Sequence, residues 1–244
     1  MNLRKSIFLG GFISMASLGS QVAMALQAGD NVIYGGIAYI VPNSSLGAVT
    51  DSNPIYSAYT AGTTAEVQTA TTVIVTGWHM FTDNIAGELT IGVPPAMKSD
   101  VTAPNAGAAG LTNTKMTSAI SQTASFPSFV VKYVFNEPKD AFRPYVGLGV
   151  TYNSFSGVSA NTQYNTVQAF AGYGASLSSS WNPVYNVGGI YSLDEHWSIN
   201  IGLSYVPLTG TVTLYGNPGL GANTATAKLN IDPTDLTVKI GYKF

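Results

Sequence analysis

Cysteine is absent from the 244 residues, which excludes a disulfide framework and thiolate chemistry. Charge is nearly as scarce. Asp, Glu, Lys and Arg make up 9% of the chain, against about 25% in an ordinary soluble domain. Histidine occurs twice, at His79 and His196, too few and too far apart for a metal site. No cofactor or metal is called for, and no Ser or Asp stands beside either histidine as an esterase or acyltransferase needs, so no enzyme is expected. Past residue 25 no apolar run reaches the ~18 residues of a membrane-spanning helix. The formal net charge of −2 is no profile for binding nucleic acid.

What is present fits another class. Hydrophobic residues reach 45% while the mean hydropathy is only +0.19, too polar for a helical membrane protein. That combination suits a transmembrane barrel, whose lipid-facing residues take only alternate positions. The N-terminus reads as a secretory signal. Arg4 and Lys5 form a basic start, residues 7–18 an apolar core, and Ala23-Met24-Ala25 a small-x-small cleavage site. Removal of residues 1–25 leaves eight basic against twelve acidic residues in a single domain, 26–244.

Strand signals recur along that domain. In residues 235–244, Leu236, Val238, Ile240, Tyr242 and Phe244 alternate with charged, polar or glycine residues, as one greasy and one wet face require. The length matches the roughly 9–11 residues of a tilted membrane strand. Tyr242 and Phe244 sit where an interfacial girdle lies, and are read as the assembly signal of the closing strand. Further strands are expected at 32–41 (apolar on both faces, so of undetermined register), 71–81, 85–93, 126–135, 142–152, 181–191 and 197–206. Short turns at 82–84, 136–140 and 193–196 alternate with long Ser/Thr/Ala/Gly-rich loops at 42–66, 94–125, before 181, and at 209–228. The expected fold is all-β: an eight-stranded antiparallel transmembrane β-barrel with short periplasmic turns and long extracellular loops.

At Phe142-Arg143-Pro144-Tyr145-Val146-Gly147 the chain resembles the OmpW family of small outer-membrane proteins, which carry an FRPYVG-type start to the fifth strand. Thr82-Asp83-Asn84-Ile85 with Glu88, Ser180-Trp181, Trp197, Ile231-Asp232-Pro233 and Gly241-Tyr242-Lys243-Phe244 follow the family's order. Ile91-Gly92-Val93-Pro94 and Tyr205-Val206-Pro207 are similar to its AlkL branch, associated with hydrocarbon uptake. The resemblance implies a Gram-negative outer-membrane barrel that is exported by the general secretory route and inserted by the barrel assembly machinery. It would lie among outer-membrane lipid and lipopolysaccharide, and admit small hydrophobic molecules that leave sideways into the membrane. Where the family narrows the lumen with bulky apolar side chains, Thr90 and Ser204 stand here.

Trp78, Glu88, Thr90, Val130, Lys132, Arg143, Ser204, Asp235 and Lys239 are expected to line the lumen. The charged members form either a filter or, the preferred reading, an ion network filling a barrel with little room beyond side chains. Buried charges need partners, so Glu88 and Asp235 should lie near Arg143, Lys132 or Lys239. Val93, Pro94, Phe126, Tyr152, Phe155 and Trp181 are expected at an apolar outer mouth. Pro144, Pro183 and Pro207 mark either lateral gaps in the wall or bulges near strand ends. Two other roles compete with hydrophobic uptake: a barrel that only displays its loops, and a small ion channel.

Overall fold

The computed structural model describes residues 26–216 and 224–244. Arg4, Lys5 and the Ala23-Met24-Ala25 site lie outside the described residues, as does part of the last long loop.

Eight strands form the barrel: β1 (Asn31–Val41), β2 (Ala70–Met80), β3 (Ile85–Gly92), β4 (Ser128–Val134), β5 (Phe142–Ala160), β6 (Ser180–Ser192), β7 (Trp197–Tyr205) and β8 (Thr234–Lys243). Each pairs antiparallel with its chain neighbour, and β8 pairs with β1 through ten register positions, closing the ring. Closure matters because an open edge would leave backbone groups unpaired in lipid. The expected barrel is borne out, strand by strand.

Burial is inverted relative to a soluble protein. Ile37, Val73, Leu89, Leu148, Ile201 and Ile240 are about half exposed on the outside, while Glu88, Lys132, Arg143 and Lys239 are buried within. Alternation forces this, since each strand sends successive side chains to lipid and lumen in turn. The register of β1, apolar on both faces, is settled by pairing: Val32, Tyr34, Ala38 and Ile40 face inward and Ile33, Ile37, Tyr39 and Val41 outward. Near the short turns the outer face carries an aromatic belt in which Tyr242 meets Trp197 (5.1 Å), Phe244 (5.5 Å) and His196 (5.5 Å).

The long loops are not irregular, as their composition suggests, but largely β. Thr64–Val67, Ala96–Thr102 and Lys115–Ser125 pair with one another and with the outer end of β5. Gly174–Leu177, Thr209–Tyr215, Thr224–Asn230 and Ser45–Leu46 form a second sheet. Short Ser, Thr and Ala side chains give a weak two-residue pattern, and only pairing with a neighbour makes these segments strands. Prolines mark the junction between barrel and crown: Pro42 follows β1, Pro94 and Pro95 follow β3, Pro127 precedes β4, Pro207 follows β7 and Pro233 precedes β8. A proline cannot donate to the ladder, so these strands break at one level and restart in the crown. Pro144 and Pro183 lie inside β5 and β6 instead, opposite Gly189 and Val150.

A candidate ligand cavity above a charged floor

The end of the lumen beside the short turns is filled. Arg143, 1% exposed, donates from Nε to the Phe135 carbonyl (3.1 Å) and from its terminal nitrogens to the carbonyls of Leu26, Asp83 and Asn136. One guanidinium thus ties the segment before β1 to the two turns that follow β2 and β4. Five donors in a rigid fork suit that task. Leu26 packs beneath, with Val32, Met80, Val134 and Ile190.

Above this seal lies the charge cluster. Glu88 Oε2 accepts from Lys132 Nζ (2.8 Å) and Lys239 Nζ (2.9 Å). Lys132 Nζ also sits 4.1 Å from the Tyr145 ring centroid and 4.6 Å from that of Trp78, and Lys239 Nζ lies 5.7 Å from Tyr34. The rings supply negative faces to the second cation where only one carboxylate is present. Tyr145 donates to Asn200 Oδ1 (2.8 Å) and Ser198 to the Tyr34 hydroxyl (3.1 Å). Inner-face glycines make room: a Cβ on Gly241 would lie 2.3 Å from the Tyr34 ring, and one on Gly202 2.7 Å from the Tyr145 hydroxyl.

Higher up the lumen opens into a cavity of about 950 Å³, counting its mouth. Glu88 and Lys239 form its base. Thr90, Ser128, Val130, Asn153, Asn186, Ser204 and Asp235 stand on its wall, with Phe126 and Phe155 towards the outside. A collar of buried apolar side chains, Ile40, Met97, Val184, Val206, Leu208 and Ile231, continues upward through Ala65, Leu177 and Leu229. There a second space of about 640 Å³, counting its openings, lies within the crown and is walled by Leu46, Val101, Ile120, Leu177, Val212 and Leu214 among others.

All nine expected lining residues face inward. Glu88 meets two of its three expected partners, Lys132 and Lys239, and the expected partnership of Asp235 needs correction. Arg143 takes four backbone carbonyls, three from the turns after β2 and β4 and one from the segment before β1. Asp235 makes no ion pair among the described residues, and its buried Oδ1 has no hydrogen-bond partner. Of the expected mouth residues, Phe126 and Phe155 do line the cavity. Trp181 (69% exposed) and Val93 (63%) point outward instead, Pro94 is exposed, and the Tyr152 ring packs at a tilt against Trp181 at 5.0 Å. Strand parity decides this, since the lumen positions beside Trp181 and Tyr152 are Asn182, Thr151 and Asn153. Thr90 bonds Thr76 (3.1 Å) and Ser204 accepts from Asn186 (2.9 Å), and both line the cavity. Tyr34, Asn186 and Asn200 carry no signal in the sequence, Tyr34 because β1 is apolar on both faces and the two asparagines because they are neutral. His79 Nδ1 lies 2.8 Å from Asn31 Oδ1, and His196 stacks on Tyr242.

Comparison with known proteins agrees with this architecture. The chain is similar to outer membrane protein W of Vibrio cholerae serotype O1, at 30% identity over 96% of this chain and 97% of that protein. Outer membrane protein W of Escherichia coli matches at 26% identity over 95% and 96%. Among solved structures, the outer membrane protein OprG of Pseudomonas aeruginosa superposes with a TM-score of 0.78 at 26% identity, covering 91% of this chain and 99% of that one. AlkL, determined in lipid bilayers, shares the fold with a TM-score of 0.63 at 20% identity, over 94% and 97%. With the OmpW family model matching residues 27–244 as well, this chain belongs to the OmpW family and is a barrel of the Gram-negative outer membrane.

Proposed function

We propose that this barrel is a passive channel for small hydrophobic compounds, which enter through the crown and leave sideways into the bilayer. One observation carries the reading: an apolar collar joins two stacked cavities, and a sealed, charged floor lies beneath them. An apolar molecule gains by moving from water onto the collar, at about 25 cal/mol per Å² of apolar surface buried. It gains nothing by descending further, where it would have to separate Glu88 from its lysines. Direct passage to the periplasm is therefore the costly route and lateral exit the cheap one. The breaks at Pro94, Pro95, Pro127, Pro207 and Pro233 supply wall positions where the ladder is already interrupted. The same floor opposes an ion channel, since the lower lumen is occupied by buried side chains.

The test is uptake of a radiolabelled medium-chain alkane into proteoliposomes. Uptake faster than into empty vesicles, without an energy source, is expected. Equal rates from barrels that show the heat-modifiable gel shift of correct assembly would overturn the proposal.

A further inference from the structure

One row of the cavity wall is unusual in what it leaves unsatisfied. Asn186 on β6 stands opposite Ser204 on β7, and Ser204 opposite Asp235 on β8. The Asn186 amide nitrogen donates to Ser204 Oγ (2.9 Å) and to the Leu203 carbonyl (3.1 Å), so both its protons are used. Its Oδ1 and the Oδ1 of Asp235 are buried with no donor to accept from. A buried polar atom without a partner costs free energy, and most folds avoid it. No cation answers the Asp235 carboxylate among the described residues. The nearest on its own strand is Lys239, four residues and about 13 Å away along β8, and already held by Glu88.

The two lone acceptors flank one hydroxyl and border the collar. Ile40 is the β1 partner of Asp235, and Val206, Leu208 and Ile231 line the same cavity. A molecule that satisfies this wall has a head that donates at least two hydrogen bonds and carries positive charge, joined to an apolar tail. A hydrocarbon leaves both oxygens unpaired, a carboxylate is repelled by Asp235, and a quaternary ammonium has no N–H to donate. A primary ammonium has three donors and the right sign. Below, two lysines against one glutamate leave the floor net positive, which turns such a head back at the level of Asp235.

We propose that the Asn186–Ser204–Asp235 row is a head-group anchor for primary alkylammonium amphiphiles, with the tail lying on the apolar collar. The anchor rests on the reading that the cavity admits small apolar molecules, and it narrows the ligand from any hydrocarbon to an amphiphile with an amine head. Unpaired Asn153 Nδ2, farther out on β5, takes no part, being a donor itself.

The experiment is an NMR titration of the full barrel in lipid nanodiscs with hexylammonium, hexanol and hexane, following the Asn186 side-chain amide and the Val206 and Leu208 methyls. Hexylammonium should half-saturate the Asn186 shift at about one tenth of the hexanol concentration, the worth of a charge-assisted hydrogen bond over a neutral one. Asp235→Asn should bring the two within about twofold of each other and leave the hexane shifts at the collar unchanged. Hexylammonium no better than hexanol in the unaltered protein overturns the anchor, as does an amine advantage that survives Asp235→Asn. If hexane still shifts the collar in either case, the hydrophobic-cavity reading stands alone. If none of the three probes shifts it, both readings fail. The comparison in the unaltered barrel is decisive even if the variant does not assemble.

Discussion

The lower and upper halves of the lumen are built from the same strands and obey opposite rules. In the lower half, Glu88, Lys132, Lys239, Arg143, Tyr34 and Tyr145 are all bonded to protein groups, and a single amide nitrogen, that of Asn200, lacks a partner. In the upper half, Asp235 Oδ1, Asn186 Oδ1 and Asn153 Nδ2 are buried without partners, on residues that wall the cavity. Polar groups that close on each other make a structural plug. Polar groups left open beside an apolar collar make a place for something else. A charged residue in a barrel lumen therefore says little until its partners are known.

The sharpest way to break the comparison is to remove one carboxylate from each half. Glu88→Ala leaves two buried ammonium groups uncompensated and should cost about 3–5 kcal/mol, read from urea unfolding of the barrel in bilayers. Asp235→Ala orphans no cation and should cost far less. Equal losses would mean that Asp235 is structurally engaged after all. Transport should divide the other way. Leu177→Arg, which puts a charge into the crown cavity, should bring alkane uptake down to the empty-vesicle rate, whereas Trp181→Arg should leave it near normal because Trp181 faces outward. A Trp181→Arg barrel that assembles but does not transport would restore that residue to the mouth.

Arg143→Met takes this donor from the carbonyls of Leu26, Asp83 and Phe135, while that of Asn136 keeps the Asn84 amide (3.2 Å), and should destabilise by about 1–3 kcal/mol. It should also raise ion conductance in planar bilayers, and unchanged conductance would place the seal elsewhere. Gly241→Ala forces a methyl against the Tyr34 ring and should cost about 1–3 kcal/mol, while Gly35→Ala, with nothing within 4 Å, should be nearly neutral. The smallest effect belongs to the turns. Backbone N–H groups of Trp197 and His196 donate to Asp194 and hold its carboxyl below the usual 3.8. Its stabilisation is thus fully present above that value and is lost as pH falls through the depressed one. Asp194→Asn should flatten the acid limb of the stability curve below about pH 4, and an unchanged limb would show that the turn contributes nothing.

How much of this was legible follows residue by residue. Lys132, Lys239 and Glu88 stand out in sequence because a charge on an alternating strand has only one tolerable face. The FRPYVG stretch placed Arg143 correctly, but a spacing pattern carries no information about backbone carbonyls arriving from two turns and the segment before β1. Trp181 and Val93 were misplaced because the mouth was inferred from nearness to the rim, and parity, not nearness, orients a side chain. The crown was read as loop because Ser, Thr and Ala alternate too weakly to announce a strand.

The sequence alone determined the closed barrel, its strand count, the lipid face and the burial of its charges. Each of these follows from a two-residue period, the length of a membrane strand and the cost of charge in hydrocarbon, and all are local properties. Only the tertiary structure decided which charges meet. Ring closure brings β3, β4 and β8 together around Glu88 and leaves Asp235 facing a cavity. Cross-barrel distance depends on the register of all eight strands at once, and no single strand encodes it.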